Sequence, residues 1–116
     1  MGKQQESEIP VIPSSGNVFT DLGFAEPEEE LTKAQLASEL RQIIKRRRLT
    51  QVAAAAILGI DQPKVSALLN GRLTSFSTER LMRLLTALGQ DVEIIVRERP
   101  DSLKRGRIRV VAEALA

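Results

Sequence analysis

The chain has 116 residues, 42% hydrophobic and 28% charged, a size and balance that suit one globular domain with tails and argue against two stacked domains. Aromatic residues make up only 3%, with no Trp or Tyr, so a small helical core of Leu and Ala is expected. Cys and His are both missing, which excludes disulfides, thiolate or imidazole metal sites, thiol nucleophiles and imidazole general bases. With the remaining acids scattered over helix faces, no nucleophile and base can be paired. The sequence therefore does not read as an enzyme, and it calls for no cofactor and no metal. Residues 52–58 form the longest apolar run, too short for a membrane span, and the polar start Lys3-Gln4-Gln5-Glu6 suits no signal peptide. A cytoplasmic protein with no membrane partner is the expectation.

The net charge of +2 hides an asymmetry. Residues 1–30 carry one base, Lys3, against seven acids, whereas the remainder carries 16 bases against eight acids. A basic body of this kind suits a polyanionic partner, while the leader does something else. The chain thus divides into an acidic leader at residues 1–26, a domain at 27–97 and a basic tail at 98–116. The leader holds Pro10, Pro13, Ser14-Ser15-Gly16 and Gly23 without helical apolar spacing, and reads as extended or disordered.

The first helix is marked by Leu36, Leu40, Ile43 and Ile44, one apolar stripe, and ends near Arg48. Its start is open between Pro27, followed by three Glu, and a capping box formed by Thr32 and Gln35. Thr50 caps a short second helix that Gly59 stops. Asp61 caps a third over residues 62–69, with Pro63 in its first turn and Asn70-Gly71 as its end. Ser77 caps a fourth, with the stripe Leu81, Leu84, Leu85 and Leu88 and a hydrophobic staple between Phe76 and Leu81. Past Gly89, residues 92–96 alternate as a β-strand. The fold class expected is all-α, a small helical bundle, plus one C-terminal strand.

Two short helices joined by a tight Gly turn have the spacing of a helix-turn-helix. Ala55 is expected where those helices cross, Gly59 at the turn, and Ile60, Val65 and Leu68 beneath the second helix, leaving its opposite face free. The outward residues are then Gln62, Pro63, Ser66, Ala67 and Asn70. Gln62 suits adenine, Ser66 several bases, and Pro63 or Ala67 a thymine methyl; no Arg lies on this face to read guanine. Thr50, Gln51, Lys64 and Arg72 are the expected backbone contacts. Lys45-Arg46-Arg47-Arg48 can meet phosphate or simply complement the end of a helix dipole. Residues 104–109 read as a mobile basic arm.

Residues 49–71, running from Leu49-Thr50-Gln51 through Gly59-Ile60-Asp61-Gln62 to Leu69-Asn70-Gly71, resemble the phage-repressor (Cro/C1, XRE-type) helix-turn-helix, which implies a lambda-repressor-like fold. Phe76-Ser77 onward, with Gly89-Gln90-Asp91-Val92-Glu93-Ile94, is similar to the narrower group of HigA-type antitoxins, as is Asn17-Val18-Phe19-Thr20-Asp21-Leu22-Gly23-Phe24. That resemblance covers roughly residues 17–97. It implies a sequence-specific repressor of double-stranded DNA, one that in many cases also neutralises a ribonuclease toxin and controls its own operon. A free-standing regulator without a toxin, and an interaction module that no longer binds DNA, are the alternatives.

Two further features bear on partners. Residues 92–96 need a partner strand, and pairing with a second copy would bury Val92, Ile94 and Val96 and supply the two-fold axis of a homodimer on a palindromic operator. The chain's own tail, with Ile108 and Val110, is the competing partner. In the leader, Val18, Phe19, Leu22 and Phe24 set apolar groups among acids, which suits either a basic ribonuclease surface or the chain's own core.

Overall fold

The computed structural model describes residues 20–101 and 104–113, with side chains from residue 27 onward. It divides into two compact units, Met1–Leu31 and Thr32–Ala116. Among the described residues there are four helices: α1 (Thr20–Arg46), α2 (Gln51–Leu58), α3 (Gln62–Leu69) and α4 (Thr78–Ala87).

The three short helices begin as their sequences dictate. Thr50 Oγ1 accepts the Ala53 N–H at 3.1 Å, Asp61 Oδ1 the Lys64 N–H at 3.0 Å, and Ser77 Oγ the Arg80 N–H at 3.0 Å. Each satisfies one of the donors that a helix start leaves unpaired, a contribution of about 1 kcal/mol.

All four helices also end alike. The residue at the stop has a positive φ, namely Arg48 (55°), Gly59 (70°), Gly71 (75°) and Gly89 (82°). The next N–H then reaches back five residues: Leu49 to the Ile44 carbonyl (3.0 Å), Ile60 to Ala55 (3.2 Å), Arg72 to Ala67 (2.9 Å) and Gln90 to Leu85 (3.0 Å).

In the second unit, the apolar stripes of the helices converge on one core. Leu36, Ala37, Leu40, Ile43 and Ile44 of α1 are buried, with Ala54 and Leu58 of α2, Val65 and Leu68 of α3, and Leu81, Leu84 and Leu85 of α4; Leu88, at the end of α4, joins them. Phe76 and Leu81, the two halves of the expected staple, are both buried. Each buried Leu or Phe contributes on the order of 2 kcal/mol. Arg47 adds a polar tie: its Nη2 donates to the Leu88 carbonyl at 2.8 Å and pins the end of α1 to the end of α4.

Several expectations change. α1 starts at Thr20, so the extended leader does not hold for residues 20–26; the helix passes through Pro27, where one backbone hydrogen bond is lost. Thr32 therefore lies inside a helix and caps none. Ala54 takes the buried place expected for Ala55, which is half-exposed, because a run of four alanines offers no apolar pattern from which to choose.

The strand is also not formed. Residues 91–99 carry no β-ladder, and neither do the described residues 104–113. A strand acquires its hydrogen bonds only from a partner, and the tail does not supply one. Nor is the tail a free arm. The Val110 N–H donates to Gln35 Oε1 at 3.3 Å, and Val110 packs on the core, although residues 104–109 before it are exposed.

Stop conformation gives a direct test. Arg48→Gly removes Cβ strain from a left-handed residue and is expected to raise stability by about 1 kcal/mol. Gly59→Ala should lower it by about 1–2 kcal/mol through conformation alone, since a Cβ there meets nothing within 4 Å. Denaturant midpoints of the two variants check both signs.

Candidate nucleic-acid interface

The sequence 59–61 does the positioning. Gly59 ends α2, Ile60 drops onto the core, and Asp61 starts α3 at once, so the two axes turn through 106°. Helices of a helix-turn-helix cross at about 90–120°. Val65 and Leu68, both fully buried, hold α3 from one side.

Its other side is open. Gln62 and Pro63 are exposed at the helix start, and Ser66 lies half-buried one turn later. Gln62 offers an amide donor and acceptor on a short stem, the arrangement that matches an adenine edge. Asn70 is exposed but partly committed, its Nδ2 donating to the Ser66 carbonyl at 2.8 Å and lying 3.4 Å from Ser66 Oγ. Its amide closes α3, which leaves the carbonyl oxygen to accept from a ligand. Ala67, expected outward, is half-buried against the core; it adjoins Leu68 on a helix too short to keep two faces apart.

Around this face lie the expected backbone contacts. Thr50 is exposed, and with its oxygen accepting the cap bond its hydroxyl hydrogen remains to donate. Gln51 is exposed at the first turn of α2, Arg72 is exposed just past α3, and Lys64 is half-buried with its backbone N–H engaged by Asp61. Of the basic run ending α1, Lys45, Arg46 and Arg48 are exposed, whereas the Arg47 guanidinium is tied to α4. The sequence did not single out Arg47 from its neighbours, because its acceptor lies 41 positions away.

The expected seam residues follow α4 in the chain. Val92 is half-buried against the core, and Ile94 and Val96 are exposed, as is Ile95, which had not been assigned to the seam. Val18 and Phe19 fall outside the described residues, and Leu22 and Phe24 lie in the first turns of α1. Among the described residues no cluster of acids could hold a metal ion, and no single helix is long and apolar enough to cross a membrane.

Residues 18–97 match the family model described as a helix-turn-helix domain. A solved structure named as an XRE family transcriptional regulator is 58% identical, with a TM-score of 0.73, over 76% of this chain and 99% of that one. The chain belongs to the XRE-type helix-turn-helix family. That family is one of DNA-binding regulators. A protein of Mycobacterium tuberculosis named as the antitoxin HigA2 is 38% identical over 61 residues, which is 53% of this chain. The match spans 60% of the length of that relative.

Structural and free side chains on α3 should separate by stability. Asp61→Ala removes a cap and is expected to cost about 1 kcal/mol. Gln62→Ala, exposed and without a bond among the described residues, should stay within about 0.5 kcal/mol of the parent. Thermal melts of the two variants check this.

Proposed function

We propose that this regulator is a sequence-specific repressor that binds a palindromic operator as a homodimer and is also the antitoxin of a toxin–antitoxin pair in the cytoplasm. The observation that carries the reading is the 106° turn, with α3 buried through Val65 and Leu68 and its start, Gln62 and Pro63, open to solvent. A helix held in this way enters the major groove with its N-terminal residues toward the base edges. Gln62, Pro63 and Ser66 read bases, with Ala67 and Asn70 at the edge of that set. Thr50, Gln51, Lys64 and Arg72 fix the register on phosphates.

The dimer rests on residues 92–96, mostly apolar and without a partner strand among the described residues. Val92, Ile94 and Val96 form its seam, and the two-fold axis places two copies of α3 on successive half-sites. The antitoxin role rests on the HigA2 relative and on the leader, where Val18, Phe19, Leu22 and Phe24 accompany acids that complement a basic ribonuclease.

DNA binding is tested on the protein's own upstream DNA. Gln62→Ala is expected to weaken operator binding by about 1–3 kcal/mol and leave random DNA unaffected. Arg72→Ala should weaken both and flatten the salt dependence. Equal losses from Gln62→Ala on the two DNAs would put a different helix in the groove.

The leader is tested separately. Deletion through Phe24 removes three acids and one base, leaves the segment from Thr50 to Asn70 intact, and should spare operator binding. Neutralisation of the adjacent gene's ribonuclease should fail, since apolar anchors dominate such interfaces. Survival of cells expressing the toxin with the truncated chain would instead favour a regulator whose leader has another role.

A further inference from the structure

The segment after α4 carries a second pattern besides its apolar stripe. Residues 91–99 carry no helix, turn or strand, and Ile94, Ile95 and Val96 are exposed by 76%, 68% and 92%. Paired as a strand, the segment sets its even positions on one face: Val92, Ile94, Val96 and Glu98. Odd positions lie on the other and read Asp91, Glu93, Ile95, Arg97 and Arg99. That order is two acids, one apolar residue and two bases, so the odd face is complementary to its own reversed copy. Among the described residues, Asp91, Glu93 and Arg97 form no ion pair within the chain. Arg99 donates one N–H, from Nη1, to the Arg105 carbonyl at 3.3 Å and retains others.

We infer, on the dimer reading proposed for this regulator, that two copies pair residues 91–99 antiparallel with Ile95 on the two-fold axis. An axis perpendicular to the sheet returns each face to itself, so odd residues oppose odd and even oppose even. Three central registers remain, with Ile94, Ile95 or Val96 on the axis. With Ile95 there, Glu93 opposes Arg97 of the partner subunit and Asp91 opposes the partner's Arg99, each twice by symmetry. Ile95 then meets its own copy and Ile94 meets the partner's Val96.

Moving the axis to Ile94 keeps only the pairing of Asp91 with Arg97 and sets Glu93 against Ile95. Moving it to Val96 keeps only Glu93 with Arg99, and sets Ile95 against Arg97 and Ile94 against Glu98. Opposite charges directly across an antiparallel pair are favourable, and a charge against an aliphatic side chain forfeits both contacts. The mismatch left with Ile95 on the axis, Val92 opposite Glu98, falls near the end of the ladder, where Val92 already packs on its own core.

The chain has no Cys, so a single introduced thiol reports the register. Residues opposing their own copies on the axis lie about 5 Å apart, and diagonal neighbours about 7–8 Å, beyond the reach of a disulfide. Ile94→Cys, Ile95→Cys and Val96→Cys are each oxidised mildly and run on a non-reducing gel. Covalent dimer is expected several-fold more abundant for Ile95→Cys. A maximum at position 94 or 96 would overturn this register and leave the dimer standing. A monomeric parent by sedimentation, or a dimer that none of the three thiols links, would remove the seam itself.

Charge reversal gives an independent readout. Arg97→Glu should weaken dimerisation at least about tenfold, because the two-fold axis turns two cross-strand attractions into two repulsions at once. Adding Glu93→Arg to that variant should restore it. A folded double variant that stays monomeric would overturn the pairing.

Discussion

Each of the four described helices is stopped by one residue turned into the left-handed region, and the residues after each stop set where the next segment goes. The turn at Gly59 governs the candidate site. At φ 70° it lets the Ile60 N–H return to the Ala55 carbonyl, and two residues later Asp61 is already capping α3. The result is the 106° change of direction. A residue with a Cβ pays about 1–2 kcal/mol in that conformation, which is why Gly is the natural occupant.

Direction alone does not make a reading surface; the helix must also be held. Val65 and Leu68 have no exposed surface, while Gln62 and Pro63, within three residues of Val65, are open. An eight-residue helix has little stability of its own in water, so this burial and the Asp61 cap are what keep α3 formed. The Arg47 bond to the Leu88 carbonyl braces the other side of the core by satisfying a helix end with a charge.

Much of this was legible from residues close together in sequence. The caps Thr50, Asp61 and Ser77 act over three positions, and the Gly stops over five, so α2, α3 and α4 could be placed almost to the residue. The open face of α3 followed from its apolar period at Gln62, Pro63 and Asn70, whereas Ser66 and Ala67 are half-buried. What was not legible depends on distant or missing partners. Gln35 looked like half of a capping box but accepts the N–H of Val110, 75 positions away. Pro27 looked like a start, yet α1 runs through it from Thr20. The segment 92–96 has the alternation of a strand and no strand to pair with among the described residues.

Sequence-specific binding requires α3 to be the element that meets base edges. Because the chain lacks Cys, a photoreactive group can be attached uniquely at Gln62→Cys, with Glu79→Cys on α4 as the comparison, and irradiated on the upstream DNA. Crosslinks from position 62 to major-groove base atoms at one position in each half-site, and none from position 79, are the predicted result. Crosslinks from position 79 alone, or from position 62 at random along the DNA, would contradict it.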